Sequence, residues 1–370
     1  MMNKKPATRI ASTAKSIFFN VPDKSILLQR PLAQADCFPL YSITSIVFLL
    51  NAGQRFSSRF FSLKSRYKAL LENFLQYRTS SAERSVSGHM LEIGGLREHV
   101  PGLKGVLCDL WGVVHNGKAA FPEAVEALQA LRENGLFLVL LSNSPRPSIS
   151  VRPQLRGLGI PEDCYDAIIT SGDISREFLI GEGVDKSFFH LGPGRDRPTT
   201  EGLPNPETDD LRRADYILCT GFFEDWSMDP KSYEALFAAG VQNQIPMICA
   251  NPDKEVNIGN QRVLCAGTLA SLYEGMGGKV HWFGKPKEIA YQKCFDIMKQ
   301  QMKDEFKPAD LLAIGDNLET DIRGGRDRGL KTLFIAEGLH GKHGTTQEEL
   351  EPFMKKLDIF PDMFMKRLKW

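Results

Sequence analysis

Two apolar runs that each stop at an aspartate constrain this chain more than any other feature. Val106-Leu107-Cys108 ends at Asp109, and far downstream Ile314-Gly315 ends at Asp316, with a further acid at Asp321. A short apolar run bounded by polar residues reads as a strand covered on both faces. A carboxylate at the C-terminal end of a parallel strand sits where open α/β sheets bind their ligands. Two such ends, brought together by the fold, can hold a divalent cation between them.

The rest of the chain supports that kind of sheet. Strand-like runs are expected at residues 103–109, 136–141 and 167–170. A helix is expected at 122–134, entered through Pro122 and stopped by Gly135. Another helix is expected from about Asp173. After a middle section with its own alternation (strands at 188–191, 214–220 and 246–250, a helix at 231–239), the first style returns. Helices are expected at 269–276, 286–301 and 319–328, and strands at 280–283, 310–315 and 331–335. Such alternation means βαβ units and a parallel sheet. The expected fold class is α/β: a doubly wound parallel sheet core with an inserted α/β section. The expected division is an extension at 1–89, a core at 90–174 and 268–345, a cap at 175–267 and a tail at 346–370. Residues 192–210, rich in Pro, Gly and charge, read as a surface loop. The charged end, 354–370, reads as a solvated helix or tail.

Composition narrows the partners. The formal net charge is +1 over 370 residues, so nothing argues for nucleic acid or an anionic membrane surface. No apolar run approaches the roughly 20 residues needed to span a bilayer; the run at 41–50 is too short. The seven cysteines form no CxxC or Cys/His cluster, and those inside apolar runs behave as small buried hydrophobes. The expected oligomer, if any, is a homodimer. The first ninety residues are rich in Arg, Lys, Ser and Phe, and before residue 80 their only acids are Asp23, Asp36 and Glu72. Two readings stay open there. One is an organellar transit sequence, which would place the protein in a mitochondrion or another organelle. The other is an upstream stretch with Met90 as the true start, which would leave it cytoplasmic.

Four loops should converge in a doubly wound sheet. The first carries Asp109. The second is Ser142-Asn143-Ser144, offering hydroxyls and backbone N–H groups. The third is Gly284-Lys285-Pro286, and the fourth carries Asp316 and Asp321. Together they supply a nucleophilic carboxylate, hydrogen-bond donors, a fixed cation and further carboxylates for a metal. Phosphoryl transfer needs this equipment, because its catalysis is mostly positioning and neutralisation of oxygen charge. Hard oxygen ligands suit Mg²⁺.

The order DxxG, hhhSNS, GKP, GDxxxxD resembles the four motifs of the haloacid dehalogenase superfamily. The insert between the second and third motifs, with Cys249-Ala250-Asn251-Pro252-Asp253 near its end, is similar to subclass IIA. Trp111 and the following Gly112-Val113-Val114-His115-Asn116-Gly117 resemble an uncharacterised branch. The resemblance implies a Rossmann-like core with an inserted α/β cap domain over the active site, and Mg²⁺-dependent hydrolysis of a small phosphorylated substrate through an aspartyl-phosphate. Carried over by position, Asp109 would be nucleophile and metal ligand, and the main-chain carbonyl of Trp111 a second ligand. Ser142 would bond the phosphoryl group, and Lys285 would neutralise it. Asp316 would ligate the metal, and Asp321 would hold a ligand water or position Lys285. Asn143, Ser144, Trp111 and His115 are the expected substrate contacts.

One position departs from the pattern. Two residues after the nucleophile the superfamily's phosphatases usually carry an aspartate, a general acid and base, and here stands Trp111. Indole N–H is a donor only, and losing a positioned acid or base typically removes about 10²–10⁴ in rate. Three readings follow. The substrate has a good leaving group; or His115, beside an Asn116-Gly117 pair expected to form a type I′ hairpin flap, substitutes; or the protein binds a ligand or partner without turning it over. Displacement at carbon fits less well, having no need of the second carboxylate pair. Asn251-Pro252-Asp253 is either a subclass feature or an ordinary turn.

Overall fold

The computed structural model describes residues 90–224, 229–259 and 261–370; the N-terminal extension and both readings of it lie outside the described residues. The first part of the chain forms strands β1 (Leu91–Glu92), β2 (Gly105–Cys108), β3 (Phe137–Ser142) and β4 (Ala167–Thr170), with helices α1 (Pro122–Glu133), α2 (Ser148–Gly157) and α3 (Ser171–Ile180). The middle supplies β5 (Phe188–Leu191), β6 (Tyr216–Cys219), α4 (Glu234–Gln242), β7 (Met247–Cys249), β8 (Glu255–Ile258), β9 (Gln261–Leu264), α5 (Ala266–Gly275) and β10 (Val280–Trp282). The last part adds α6 (Glu288–Gln301), β11 (Leu311–Gly315), α7 (Arg323–Arg326), β12 (Lys331–Ile335), α8 (Gln347–Leu357) and β13 (Met363–Met365).

Seven strands form one parallel sheet in the order β1-β13-β12-β11-β2-β3-β4. From β2 the chain winds outward through β3 and β4, then returns to β11 and winds the other way. The reversal falls between β2 and β11, so Asp109 and Asp316 emerge side by side at the switch point, where doubly wound sheets bind ligands. The register pairs Cys108 with Ile314, and Asp109 N–H donates to the Ile314 carbonyl at 2.8 Å.

Alternate residues of the central strands go to opposite faces. Leu107, Val139, Leu141 and Ala313 cluster with Ala290, Tyr291, Cys294 and Met298 of α6. Val106, Cys108, Leu138 and Ile314 cluster with Ala124, Ala127, Leu128 and Leu131 of α1. That coverage on both sides explains why the strands read as continuous apolar runs. A second parallel sheet, β10-β7-β6-β5, and the antiparallel hairpin β8-β9 come from the middle of the chain.

Several boundaries differ from expectation. Residues 280–283 were assigned to the core, yet β10 pairs with β7 in the second sheet. Pro286 does not open a helix: it lies in a turn closed by Lys287 N–H to the Gly284 carbonyl (2.8 Å), and α6 starts at Glu288. The expected helix at 319–328 begins as a π-helical turn, Leu318–Ile322, that runs into α7. Such turns recur at functional sites. The C-terminal end is no solvated tail, because β13 lies between β1 and β12 and buries Met363, Phe364 and Met365. Residues 192–210 include a turn, Gly194–Thr199, that buries Asp196 and Thr199. No helix among the described residues is long and apolar enough to cross a membrane.

Candidate active site

Lys285 is the centre of the site. Its ammonium donates to Asp109 Oδ1 at 2.5 Å and lies 2.8 Å from Asp321 Oδ1, with all three side chains buried. Asp109, Asp316 and Asp321 each offer a carboxylate oxygen within 4.8 Å of the others. Three oxygen donors at that spacing could hold a divalent cation. Burial, reinforced by the charges of Asp109 and Asp321, pushes the Asp316 carboxyl well above the usual carboxylate range. Burial raises Asp321 to about 7 against the opposing pull of Lys285.

The local sequence makes room for these groups. Gly112 sits at φ +78°, and a Cβ there would collide with the Asp316 carboxylate. The same carboxylate accepts Leu339 N–H at 2.6 Å. The turn after β11 aims Asp321 back at the cluster, where Oδ2 accepts Asn317 N–H at 3.1 Å.

The loop after β3 supplies the donors. Ser142 Oγ accepts Ser144 N–H at 3.2 Å, and both serines line the cavity above the carboxylates. Asn143 also borders the cavity, but its amide is engaged elsewhere. Its Oδ1 accepts Lys285 N–H (2.8 Å), and its Nδ2 donates to Asp253 Oδ1 (2.9 Å) and to the Lys285 carbonyl (3.3 Å). The side chain therefore fixes Lys285 to Asp253, a job different from the expected substrate contact. Asp253, the last residue of Asn251-Pro252-Asp253, has its carboxyl raised by burial to about 6.

Trp111 and His115 fall differently from each other. Trp111 lines the cavity, and its Nε1–H donates to the Asn257 carbonyl of β8 at 2.6 Å. His115 is 2% exposed, and its Nδ1 accepts Gly117 N–H at 3.0 Å. Burial and the neighbouring Arg146 hold its pKa at about 4. The ring packs edge-on to the Trp111 indole, centroids 5.0 Å apart, and does not line the cavity. The structure therefore sets His115 beside the cavity and not in its lining, with desolvation lowering its pKa and the turn engaging Nδ1. The flap exists, but positive φ falls on Gly117 alone, not on Asn116 as type I′ requires. Asn116 Oδ1 instead accepts the N–H groups of Lys118 and Ala119.

The cavity measures about 670 Å³, within the ordinary range for small-molecule sites. Asp109, Lys285 and Asp316 are at its floor, and the hairpin β8-β9 forms part of its wall.

Residues 106–203 match the haloacid dehalogenase-like hydrolase family, and residues 282–361 match a second, HAD-hydrolase-like family. A crystal structure of a haloacid dehalogenase-like family hydrolase from Brucella suis 1330 has a TM-score of 0.67 and 32% identity, over 74% of this chain and 98% of that one. The chain belongs to the haloacid dehalogenase-like hydrolase family. Among curated relatives, ribonucleotide monophosphatase NagD of Escherichia coli K12 is 26% identical over 248 residues, 64% of this chain and 89% of NagD. The 5′-nucleotidase YutF of Bacillus subtilis is 25% identical over 256 residues, 67% of this chain and 93% of YutF.

This haloacid dehalogenase-like hydrolase brings Asp109, Ser142, Ser144, Lys285, Asp316 and Asp321 together, along with the Trp111 side chain. Sequence reasoning missed Arg146, Asp196, Arg367 and the hairpin at 255–264, all of which line the cavity. The alternating Glu255-Val256-Asn257-Ile258 was the available signal for the hairpin. No local signal marked the two arginines.

Proposed function

We propose that this hydrolase is a Mg²⁺-dependent phosphatase, a phosphoric monoester hydrolase acting on a small phosphorylated metabolite through an aspartyl-phosphate at Asp109. The observation that carries this reading is the buried Lys285 ammonium held between Asp109 and Asp321 at the switch point of the sheet. The phosphatase names of the curated relatives from Escherichia coli and Bacillus subtilis support it.

The residues fit a magnesium ion. Three buried carboxylates converge, and Lys285 alone leaves them short of positive charge. Asp109, Asp316 and the Trp111 carbonyl would hold the ion, with Asp321 acting through a ligand water or through Lys285. Bound there, the metal would supply neutralisation of the phosphate oxygens.

The chain's own residues do the rest. An Asp109 carboxylate oxygen attacks phosphorus, the ester P–O bond breaks, and the leaving oxygen departs with its electron pair. Lys285 orients the Asp109 side chain through its 2.5 Å hydrogen bond and neutralises the transferring phosphoryl oxygens. Ser142 and the N–H groups of its loop donate to the same oxygens. Water then attacks phosphorus in the aspartyl-phosphate, releasing inorganic phosphate and restoring Asp109.

Trp111 shapes the substrate class. Its indole is committed to Asn257 and cannot exchange protons, and His115 is closed off. A leaving group that departs without a proton, as from an acyl or aryl phosphate, is what this site turns over best. Trp111 also favours the second reading, a ligand- or protein-binding module with little turnover. Phosphate release over a panel from alkyl to acyl phosphates, with and without Mg²⁺ and beside Asp109→Asn, decides. The phosphatase gives metal-dependent turnover lost in the variant. A folded protein that binds Mg²⁺ and releases no phosphate from any ester would be the binding module.

A further inference from the structure

Arg146 stands in the cavity with its charge incompletely matched. It follows Ser142-Asn143-Ser144-Pro145 in the loop after β3 and borders the same cavity as Asp109. Its side chain is 24% exposed. Nη2 donates to the Gln154 side-chain carbonyl of α2, which fixes the plane of the guanidinium without neutralising it. The facing carboxylate is Asp196, whose Oδ1 is 4.0 Å from Arg146 Nε and 3.9 Å from Arg195 Nε. The Arg146 separation exceeds a hydrogen bond, and among the described residues no carboxylate comes closer to Arg146. Burial pulls the guanidinium below its ordinary pKa, Asp196 opposes the shift and Arg195 adds to it.

A cation withdrawn from water needs a partner, and a guanidinium that lines a cavity fits a carboxylate or a phosphate. The corner is held from both sides. Thr199 Oγ donates to the Pro145 carbonyl at 2.8 Å, tying the loop of Arg146 to the Gly194–Thr199 turn that carries Arg195 and Asp196. Both arginines and Asp196 line the cavity that holds Asp109. An anion seated there would touch the core and the insert at once, while the phosphate sits over Asp109.

We propose that Arg146 forms a subsite for a second anionic group of the substrate, a carboxylate or a second phosphate, with Arg195 bordering it. The preferred ester then carries two separate negative groups. This inference rests on the phosphatase reading above.

The test compares matched esters on the full-length protein with Mg²⁺. 4-Carboxyphenyl phosphate is set against phenyl phosphate, 1,4-phenylene bisphosphate against 4-hydroxyphenyl phosphate, and p-nitrophenyl phosphate reports bare turnover. The subsite gives at least a tenfold higher kcat/KM for the doubly anionic member of one pair. The first pair alone would identify a carboxylate, the second alone a phosphate, and both together a site for either. Arg146→Gln should cut that ratio at least tenfold, chiefly through KM, and Arg146→Lys should restore part of it. Should the glutamine variant fold poorly, Arg195→Gln gives the same reading. Turnover of p-nitrophenyl phosphate with a flat ratio in both pairs would overturn the subsite alone. A ratio unchanged in a folded Arg146→Gln protein would do the same. Silence towards every ester would remove the phosphatase reading and this one with it.

Discussion

On the proposed aspartyl-phosphate mechanism, an indole two residues after Asp109 changes which half-reaction is slow. With a good leaving group, phosphorylation of Asp109 needs no proton. Hydrolysis of the aspartyl-phosphate still needs a base to take one from water, and neither Trp111 nor His115 offers it. Lys285 is more exposed to a simple test. Removing one member of a buried ion pair leaves charge uncompensated, at a typical cost of about 3–5 kcal/mol. Lys285→Ala should therefore lose both turnover and that order of stability in chemical denaturation; a variant as stable as wild type would contradict the burial argument. His115 makes a pH prediction. Its folded pKa of about 4 lies below the unfolded 6.5, so the unfolded state binds the extra proton, and stability is lost as pH falls from 6.5 towards 4. The full effect is roughly 3 kcal/mol. Asp253 and Asp321 shift the other way, so the readout is the difference between wild type and His115→Gln. That difference should move in favour of the variant across this window, and a constant difference would count against it. At this scale the sequence was legible where a motif names the atom, as at Asp109, Lys285 and Asp316. It was silent on Arg146, and it named Asn143 without its bonds to Lys285 and Asp253, which are remote in sequence.

The element that sequence reading overlooked, the hairpin β8-β9, is tied to the flap after β2 by two hydrogen bonds. Trp111 Nε1–H reaches the Asn257 carbonyl at 2.6 Å, and Gly259 N–H reaches the Asn116 carbonyl at 3.1 Å. Gly117 is required under the indole, since a Cβ there would run into the six-membered ring. Trp111 thus fastens the hairpin over the cavity in the place where a proton donor would stand. Trp111→Phe keeps the ring and removes the bond, worth about 0.5–1.5 kcal/mol net. Amide exchange at residues 255–259 should speed up several-fold, with KM rising more than kcat falls. Unchanged exchange there would mean the bond does not hold the hairpin. Strands such as β4, β5 and β12 were legible because covered parallel strands are mostly apolar. The hairpin was not, because its two strands are four residues each and only Val263 among them is buried.

For the described molecule as a whole, the sheet was legible and its edge was not. The alternation of elements gave a doubly wound sheet with an insert, but β13 escaped because its short Met363-Phe364-Met365 run sits among Asp362, Lys366 and Arg367. Those three apolar residues are buried, as is Leu368, and β13 bridges β1 to β12. Deleting residues 358–370 would strip all four, each costing on the order of 2–5 kcal/mol, against a typical total of about 5–15 kcal/mol. The truncated chain should be insoluble or unfolded by near-ultraviolet circular dichroism; a folded, active truncation would refute the reading of the C-terminal strand as integral.

The central claim is a covalent phosphoryl transfer to Asp109 whose second step is slow for want of a residue to activate water. Pre-steady-state release of p-nitrophenol from p-nitrophenyl phosphate, with Mg²⁺ present, tests it most directly. A burst equal to the enzyme concentration, followed by slow linear turnover and absent in Asp109→Asn, is the expected result. Linear release from the first turnover, or a burst that survives Asp109→Asn, would contradict it.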